Sequence, residues 1–142
     1  MEIRLIGADQ CEAILEASPL FDRPADPKFA QRFLDSAGHV LFIAYDDEVP
    51  VGFVSGVETT HPDKGTEMLL YELALAERSR RRGIATALVT ALREFARDQG
   101  CDGMWVLTDD DSTAARATYQ ATDAKPPTTQ LMFLWEFGRA GR

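Results

Sequence analysis

The sequence predicts an α/β fold built on one mixed sheet, in a single domain over residues 1–142. Three observations carry that prediction. Apolar runs of strand length occur at 2–6, 40–45, 50–59, 67–76, 104–107 and 131–137. Segments with apolar residues at helical spacing stand between them. The order is strand, two helices, three antiparallel strands, helix, strand, helix, strand. A mostly antiparallel central sheet with helices on both faces satisfies that order.

Each element has a local reason. Residues 2–6 alternate enough for a first strand. Asp9 can N-cap a short helix through about Ala17, with Ile14 and Leu15 inward. Residues 18–26, with two prolines and two aspartates, read as a loop. Asp26 and Pro27 then start a helix, Asp as cap and Pro at the first helical position. It runs to about Ala37 and stops at Gly38. Residues 40–45 are a buried strand, and Asp46, Asp47 and Glu48 turn the chain into its hairpin partner, 50–59. Residues 61–65 are a tight loop before a long strand, 67–76. The next helix opens near Arg82, buries Ile84, Leu88, Leu92, Phe95 and Ala96, and ends at Gly100. Residues 104–107 form a strand, Ser112 or Thr113 starts a helix to about Tyr119, and 131–137 close the sheet. Residues 138–142 are expected to be a frayed tail.

Composition bounds the function. No apolar run approaches the roughly 18–20 residues that span a bilayer, and no leader precedes the first strand, so the expected location is cytoplasmic and no membrane partner is expected. Cys11 and Cys101 are far apart and read as reduced core thiols. His39 and His61 stand alone, so no metal site is expected. A formal net charge of −8 argues against nucleic acid and suits a cationic substrate.

Against that acidity, residues 77–97 carry six Arg and two Glu, a local charge of +4. The centre of this island is Arg80-Arg81-Arg82-Gly83-Ile84-Ala85, set between the 67–76 strand and the helix after it. A strand that passes through a basic, glycine-containing turn into a helix is suited to phosphate. The first helical N–H groups point outward, and the macrodipole favours an anion there. Gly83 permits a close backbone approach. There is no Gly-x-x-x-x-Gly-Lys-Ser/Thr and no Gly-x-Gly-x-x-Gly, which speaks against P-loop and Rossmann sites. The plain alternative is an exposed Arg-rich helix cap.

This turn resembles the Arg/Gln-x-x-Gly-x-Gly/Ala signature with which the GNAT superfamily of N-acetyltransferases holds the pyrophosphate of coenzyme A. The order of elements is also that of the GNAT fold, over nearly the whole chain. The resemblance implies acetyl-CoA as cofactor. It implies that the backbone of Leu73, Ala74 and Leu75 lies along the pantetheine arm, with Arg80, Arg81, Arg82, Gly83, Ile84, Ala85 and Thr86 around the pyrophosphate. Tyr119, in Ala115-x-x-x-Tyr119, is similar to the family tyrosine beside the thioester sulfur. Read alone, it is a half-buried tyrosine at a helix end. Two departures stand out. Ser112, or Asp111 in a shifted register, occupies the place of a family Asn that contacts pantetheine, and about Asp123 stands where a Gly is usual. Asp tolerates the left-handed conformation that this turn needs.

Amide formation needs a base for the ammonium and a proton for the leaving thiolate. Glu72 is the candidate base. It lies mid-strand, and if Leu73 and Leu75 face one helix layer, Glu72 faces the other way. A carboxylate among apolar strand residues calls for a partner or a function, and the plain alternative is a salt bridge to Arg. Residues 71–75 also resemble the Tyr-Asp/Glu-Leu-Ala-Val stretch of the aminoglycoside 3-N-acetyltransferases of the GNAT type, the type I group, as does the closing strand at 131–137. That likeness implies a polycationic amine substrate, acetylated at a 3-amino group. Asp22, Asp26, Glu58, Asp63, Glu67, Asp109, Asp110 and Glu136 are the expected substrate carboxylates. Asp109 and Asp110 also suit a solvated helix start. Other amines, such as a polyamine, an amino-acid derivative or a protein N-terminus, and a non-catalytic acyl-CoA-binding module stay open. Trp135 on the closing strand suggests a homodimer face.

Overall fold

The computed structural model describes residues 1–138, so the expected frayed tail lies, from 139 onward, outside the described residues. Five strands form one sheet in chain order: β1 (Glu2–Leu5), β2 (His39–Asp46), β3 (Val49–His61), β4 (Gly65–Leu75) and β5 (Gly103–Trp105). The first four are antiparallel neighbours, and β5 joins β4 in parallel. The helices are α1 (Cys11–Glu16), α2 (Pro27–Asp35), α3 (Ile84–Asp98) and α4 (Thr113–Ala121). A parallel neighbour requires a long crossover, and α3 supplies it.

The local chemistry is visible at the joints. Asp26 Oδ1 accepts the Lys28 N–H at 2.8 Å, which caps α2 with Pro27 in its first turn. The cap expected of Asp9 is not made. The residues before Cys11 form a turn, Gln10 takes the N-cap position, and its Oε1 accepts the Gly7 N–H at 2.7 Å. Asp47 and Glu48 join β2 to β3 with φ of 47° and 65°. A two-residue loop with both φ values positive matches the twist of a hairpin. Residues 18–26 are not wholly irregular, because Ser18–Leu20 make a single 3-10 turn.

The core has two layers, one on each face of the sheet. On one face Val54, Met68 and Leu70 pack against Ile84, Leu88 and Leu92 of α3. On the other, Leu41, Ile43 and Phe53 pack against Ile14 of α1 and Ala30 of α2. Val89 joins the expected stripe of α3 as a fully buried residue, while Phe95 is half-buried and meets Phe42 edge-on at 5.9 Å.

One expected element does not form. Residues 131–137 make no strand, and no described residue beyond Ala121 lies in a helix or strand. Leu131, Met132, Phe133, Leu134, Trp135 and Phe137 are 72–82% exposed. Apolar content marks a segment that wants burial, but a strand also needs an edge to hydrogen-bond to. Among the described residues no helix is long and apolar enough to cross a membrane.

Candidate functional site

Glu72 owes its direction to a bulge. Ser55 of β3 pairs with Glu72 and Gly56 with Leu70, so Tyr71 is an extra residue in β4. Met68 and Leu70 face α3. Strict alternation would send Glu72 into α3 as well. The extra residue resets the count. Leu73 packs on the α3 side, Ala74 packs on the α1/α2 side, and Glu72 shares the face of Ala74. Directly across the strand pair, Ser55 lies on the same face and is only 6% exposed.

Asp22 is brought to this face by packing. Phe21 lies on Phe53 with ring centroids 4.6 Å apart, and Phe53 is the cross-strand partner of Ala74. Ser18 Oγ accepts the Ala25 N–H at 2.7 Å and closes the loop that carries Asp22. Burial first, and the Asp22 charge second, push the Glu72 carboxyl above its usual range. No salt bridge to Arg is made by Glu72 among the described residues.

Among the described residues the outer edge of β4 has no strand partner beyond Leu69, because β5 pairs with Glu67, Met68 and Leu69 before it diverges. A wedge therefore opens along Leu73, Ala74 and Leu75. It leads to a 3-10 turn at Glu77–Ser79 and then to the basic turn. Arg81 has φ of 65° and Gly83 of 77°, both left-handed. A side chain on Gly83 would meet nothing within 4 Å, so the space above it is open. Gly83 occupies the N-cap of α3, and no side chain caps that helix. Among the described residues no acceptor is found for the N–H groups from Arg81 to Thr86, and the first helical bond is Ala87 N–H to Gly83 at 3.1 Å. Arg80 and Arg81 make no ion pair among the described residues. Arg82 does: its Nη1 lies 3.0 Å from Asp46 Oδ2, which ties the turn to the β2–β3 hairpin.

Tyr119 sits near the end of α4 and packs partly against the α3-side core. Burial pushes its phenol up, so it keeps its proton at neutral pH. It lines a groove of about 300 Å³ with Leu70, Val89, Met104 and Val106, and Glu72 does not line that groove. Ser112 occupies the N-cap of α4 without a side-chain cap bond. Asp123 takes φ of 66°, the left-handed conformation expected where a glycine is usual, and its carboxylate lies 3.6 Å from Arg93.

The structure does not gather the other expected carboxylates around Glu72. Asp26 is engaged as the α2 cap. Glu58 pairs with Met68 on the α3 face. Its charge, after burial and ahead of Asp102, helps push up the Cys101 thiol. Asp63 sits beyond the far end of β4, which begins at Gly65; from there to Glu72 is roughly 23 Å of strand. Glu67 is on the same strand, roughly 17 Å short of Glu72. Asp109 and Asp110 are exposed before α4, where Arg116 Nη1 donates to the Asp110 carbonyl at 2.9 Å. Glu136 lies on the exposed segment that forms no strand. Sequence reasoning missed Ser55 and the Phe21 anchor. A serine directly after the apolar run 51–54 was the available signal for the first.

The chain matches known proteins in three ways. The acetyltransferase (GNAT) family matches residues 8–122. Human N-acetyltransferase 8 is 31% identical over 104 residues, 72% of this chain and 46% of that protein. The chain thus spans about half the length of the curated relatives it matches. An aminoglycoside acetyltransferase from an uncultured soil metagenomic sample, solved in complex with sisomicin, superposes with a TM-score of 0.88 at 18% identity, covering 96% of both chains. Aminoglycoside N-acetyltransferase AAC(6')-Iy, solved in complex with CoA, superposes with a TM-score of 0.79 at 21% identity, over 95% of this chain and 93% of that one.

Proposed function

The chain belongs to the GNAT acetyltransferase family, and from that premise we propose that it transfers an acetyl group from acetyl-CoA to a primary amine of a small cationic substrate. The carrying observation is the unpaired edge of β4, which runs past Glu72 to an uncapped helix N-terminus.

The residues present fit the cofactor. An uncapped helix start, open N–H groups and two unpaired arginines suit a pyrophosphate. Arg82, committed to Asp46, contributes its backbone and the rigidity of the turn. The free edge at Leu73, Ala74 and Leu75 suits the amide groups of pantetheine, and Ser112 stands at the start of the helix that carries Tyr119. Bound acetyl-CoA would supply the acyl group in activated thioester form. Glu72 Oε takes a proton from the substrate ammonium, directly or through one water. Its raised pKa makes it a better base than an ordinary carboxylate. Asp22 adds a second negative charge beside it, which attracts the ammonium. Tyr119 Oη holds a proton that it can release to a developing anion.

The substrate class remains wider than one antibiotic family. Aminoglycosides, with acetylation at the 3-amino group, are the first candidates by the likeness of residues 71–75. Solved aminoglycoside acetyltransferases share the fold. A smaller amine, such as a polyamine, an amino-acid derivative or a protein N-terminus, is the second reading. It is favoured by the placement of Glu58, Asp63 and Glu67 away from Glu72, with Asp22 as the carboxylate whose charge helps raise the Glu72 pKa.

The test is release of free CoA thiol against a panel of these amines, with NMR assignment of the acetylated position. Acetyl-CoA should also raise the melting temperature, by an amount that corresponds to about 2.7 kcal/mol at a hundredfold excess over Kd. Gly83→Asp should abolish the shift by placing a carboxylate at the anion site. No shift for the wild type at saturating acetyl-CoA would end this reading. A shift with turnover of simple amines alone would leave the cofactor and remove the aminoglycoside.

A further inference from the structure

The bulge that turns Glu72 also places a second side chain. Leu70 packs under α3, so its neighbour Tyr71 faces the α1/α2 side. Glu72, after the extra residue, faces that side too. Two consecutive residues of β4 thus share one face, and an aromatic ring stands beside the candidate base. Tyr71 is 70% exposed. Two residues back on the same face lies Leu69, with Val57 as its cross-strand partner, and both are half-buried. Among the described residues, neither core layer includes Val57, Leu69 or Tyr71. Together they make an apolar shelf that ends at Glu72. Its far end is polar. The next pair along is Thr59 with Glu67, and Thr59 Oγ1 donates to the Glu67 carbonyl at 3.1 Å. The apolar ground from Tyr71 to Leu69 is therefore short, roughly 7 Å along the strand.

We propose that this shelf selects the acceptor: the ammonium sits by Glu72 and Asp22, and a compact aryl or branched-alkyl group next to it lies on Tyr71, Leu69 and Val57. The inference rests on the acetyltransferase reading and chooses among its amines. Charge and apolarity are divided as such a molecule needs. Asp22 is close enough for its charge to act on Glu72, so the two carboxylates draw a cation to the end of the shelf. The face of the Tyr71 ring attracts the same cation and packs against flat carbon. The side chains of Val57 and Leu69 carry no hydrogen-bonding group. A polyhydroxylated ring laid on them would lose water without replacing it. A long alkyl chain would overrun the shelf onto Glu67 and Thr59. A group the size of a leucine or phenylalanine side chain fits between these limits.

The test compares glycinamide, leucinamide, phenylalaninamide and sisomicin as acceptors, by release of CoA thiol from acetyl-CoA. Leucinamide and phenylalaninamide should exceed glycinamide in kcat/KM by about ten- to a hundredfold, mainly through KM. Sisomicin should fall below phenylalaninamide. Tyr71→Ser should shrink the phenylalaninamide-to-glycinamide ratio to a few-fold, and Tyr71→Phe should preserve it. Binding is read without turnover by titrating benzyltrimethylammonium, which has no proton to lose and cannot be acetylated, into the protein with CoA. It should bind more tightly than tetramethylammonium, and its Kd should rise about tenfold in Tyr71→Ser. A wild-type ratio near one, or sisomicin as the better substrate, overturns the shelf while leaving the acetyltransferase reading in place. A ratio unchanged in a Tyr71→Ser variant that melts like the wild type overturns it as well. Should Tyr71→Ser misfold, the wild-type series and the two ammonium ions decide. No turnover of any amine would remove the acetyltransferase reading, and the shelf with it.

Discussion

The two edges of β4 behave differently. Along β3 the pairing runs from Gly65 to Leu75 with one bulge. Along β5 it stops after Leu69. The side chains on the closed part are dry, with Met68 and Leu70 essentially unexposed and packed under α3. The open part carries Glu72, the free backbone edge and the path to the basic turn. A strand thus uses one edge for stability and leaves the other for ligands, because the N–H and C=O groups of alternate residues point to opposite edges. Substitutions on the closed side should change the melting temperature. Those on the open side should change turnover.

The largest effect should come from Glu72→Gln, which keeps size and removes the base. We expect kcat/KM to fall by roughly two to four decades, with partial recovery at high pH where free amine is abundant. The melting temperature should hold or rise at pH 7. The folded-state pKa of Glu72 is raised, so its ionisation costs stability as pH climbs from the unfolded carboxylate value through the folded one. Glutamine lacks that cost. Wild-type turnover in Glu72→Gln across the pH range would reassign the base.

Leu88→Ala tests the closed side. Leu88 is fully buried under the sheet, and its truncation should cost about 2–5 kcal/mol in urea unfolding, with little change in KM. A variant equally stable but slow would blur the division between the two edges.

Tyr119→Phe should lower kcat by about one to three decades while acetyl-CoA still raises the melting temperature normally. An unchanged kcat would leave the phenol as packing for α4. The smallest effect belongs to Asp22→Asn, a few-fold rise in KM measured by initial rates. Asp22 helps hold the Glu72 pKa up, so its removal should also move the acid limb of the pH–rate profile to lower pH. A limb that stays in place would show that burial alone sets the Glu72 pKa.

By itself, the sequence determined the elements whose signals are local. Periodicity located α3, because 84, 88, 92, 95 and 96 share one face at helical spacing and not at the two-residue spacing of a strand. Asp26 before Pro27 marked the start of α2 through chemistry confined to three residues. The turn at 80–86 was legible because glycine, charge and the strand-to-helix change all coincide there. Asp123 could be expected to go left-handed. Tertiary structure decided everything that depends on which surfaces meet. The bulge at Tyr71 aims Glu72, and it exists only in the register of β3 with β4. Phe21 on Phe53 delivers Asp22 and leaves the other acids elsewhere. The same holds for the two most apolar runs. Residues 40–45 pair on both sides and form the buried β2, while 131–137 pair with no strand in the described chain. Hydrophobicity is a property of the segment, whereas a strand's hydrogen bonds belong to its neighbour.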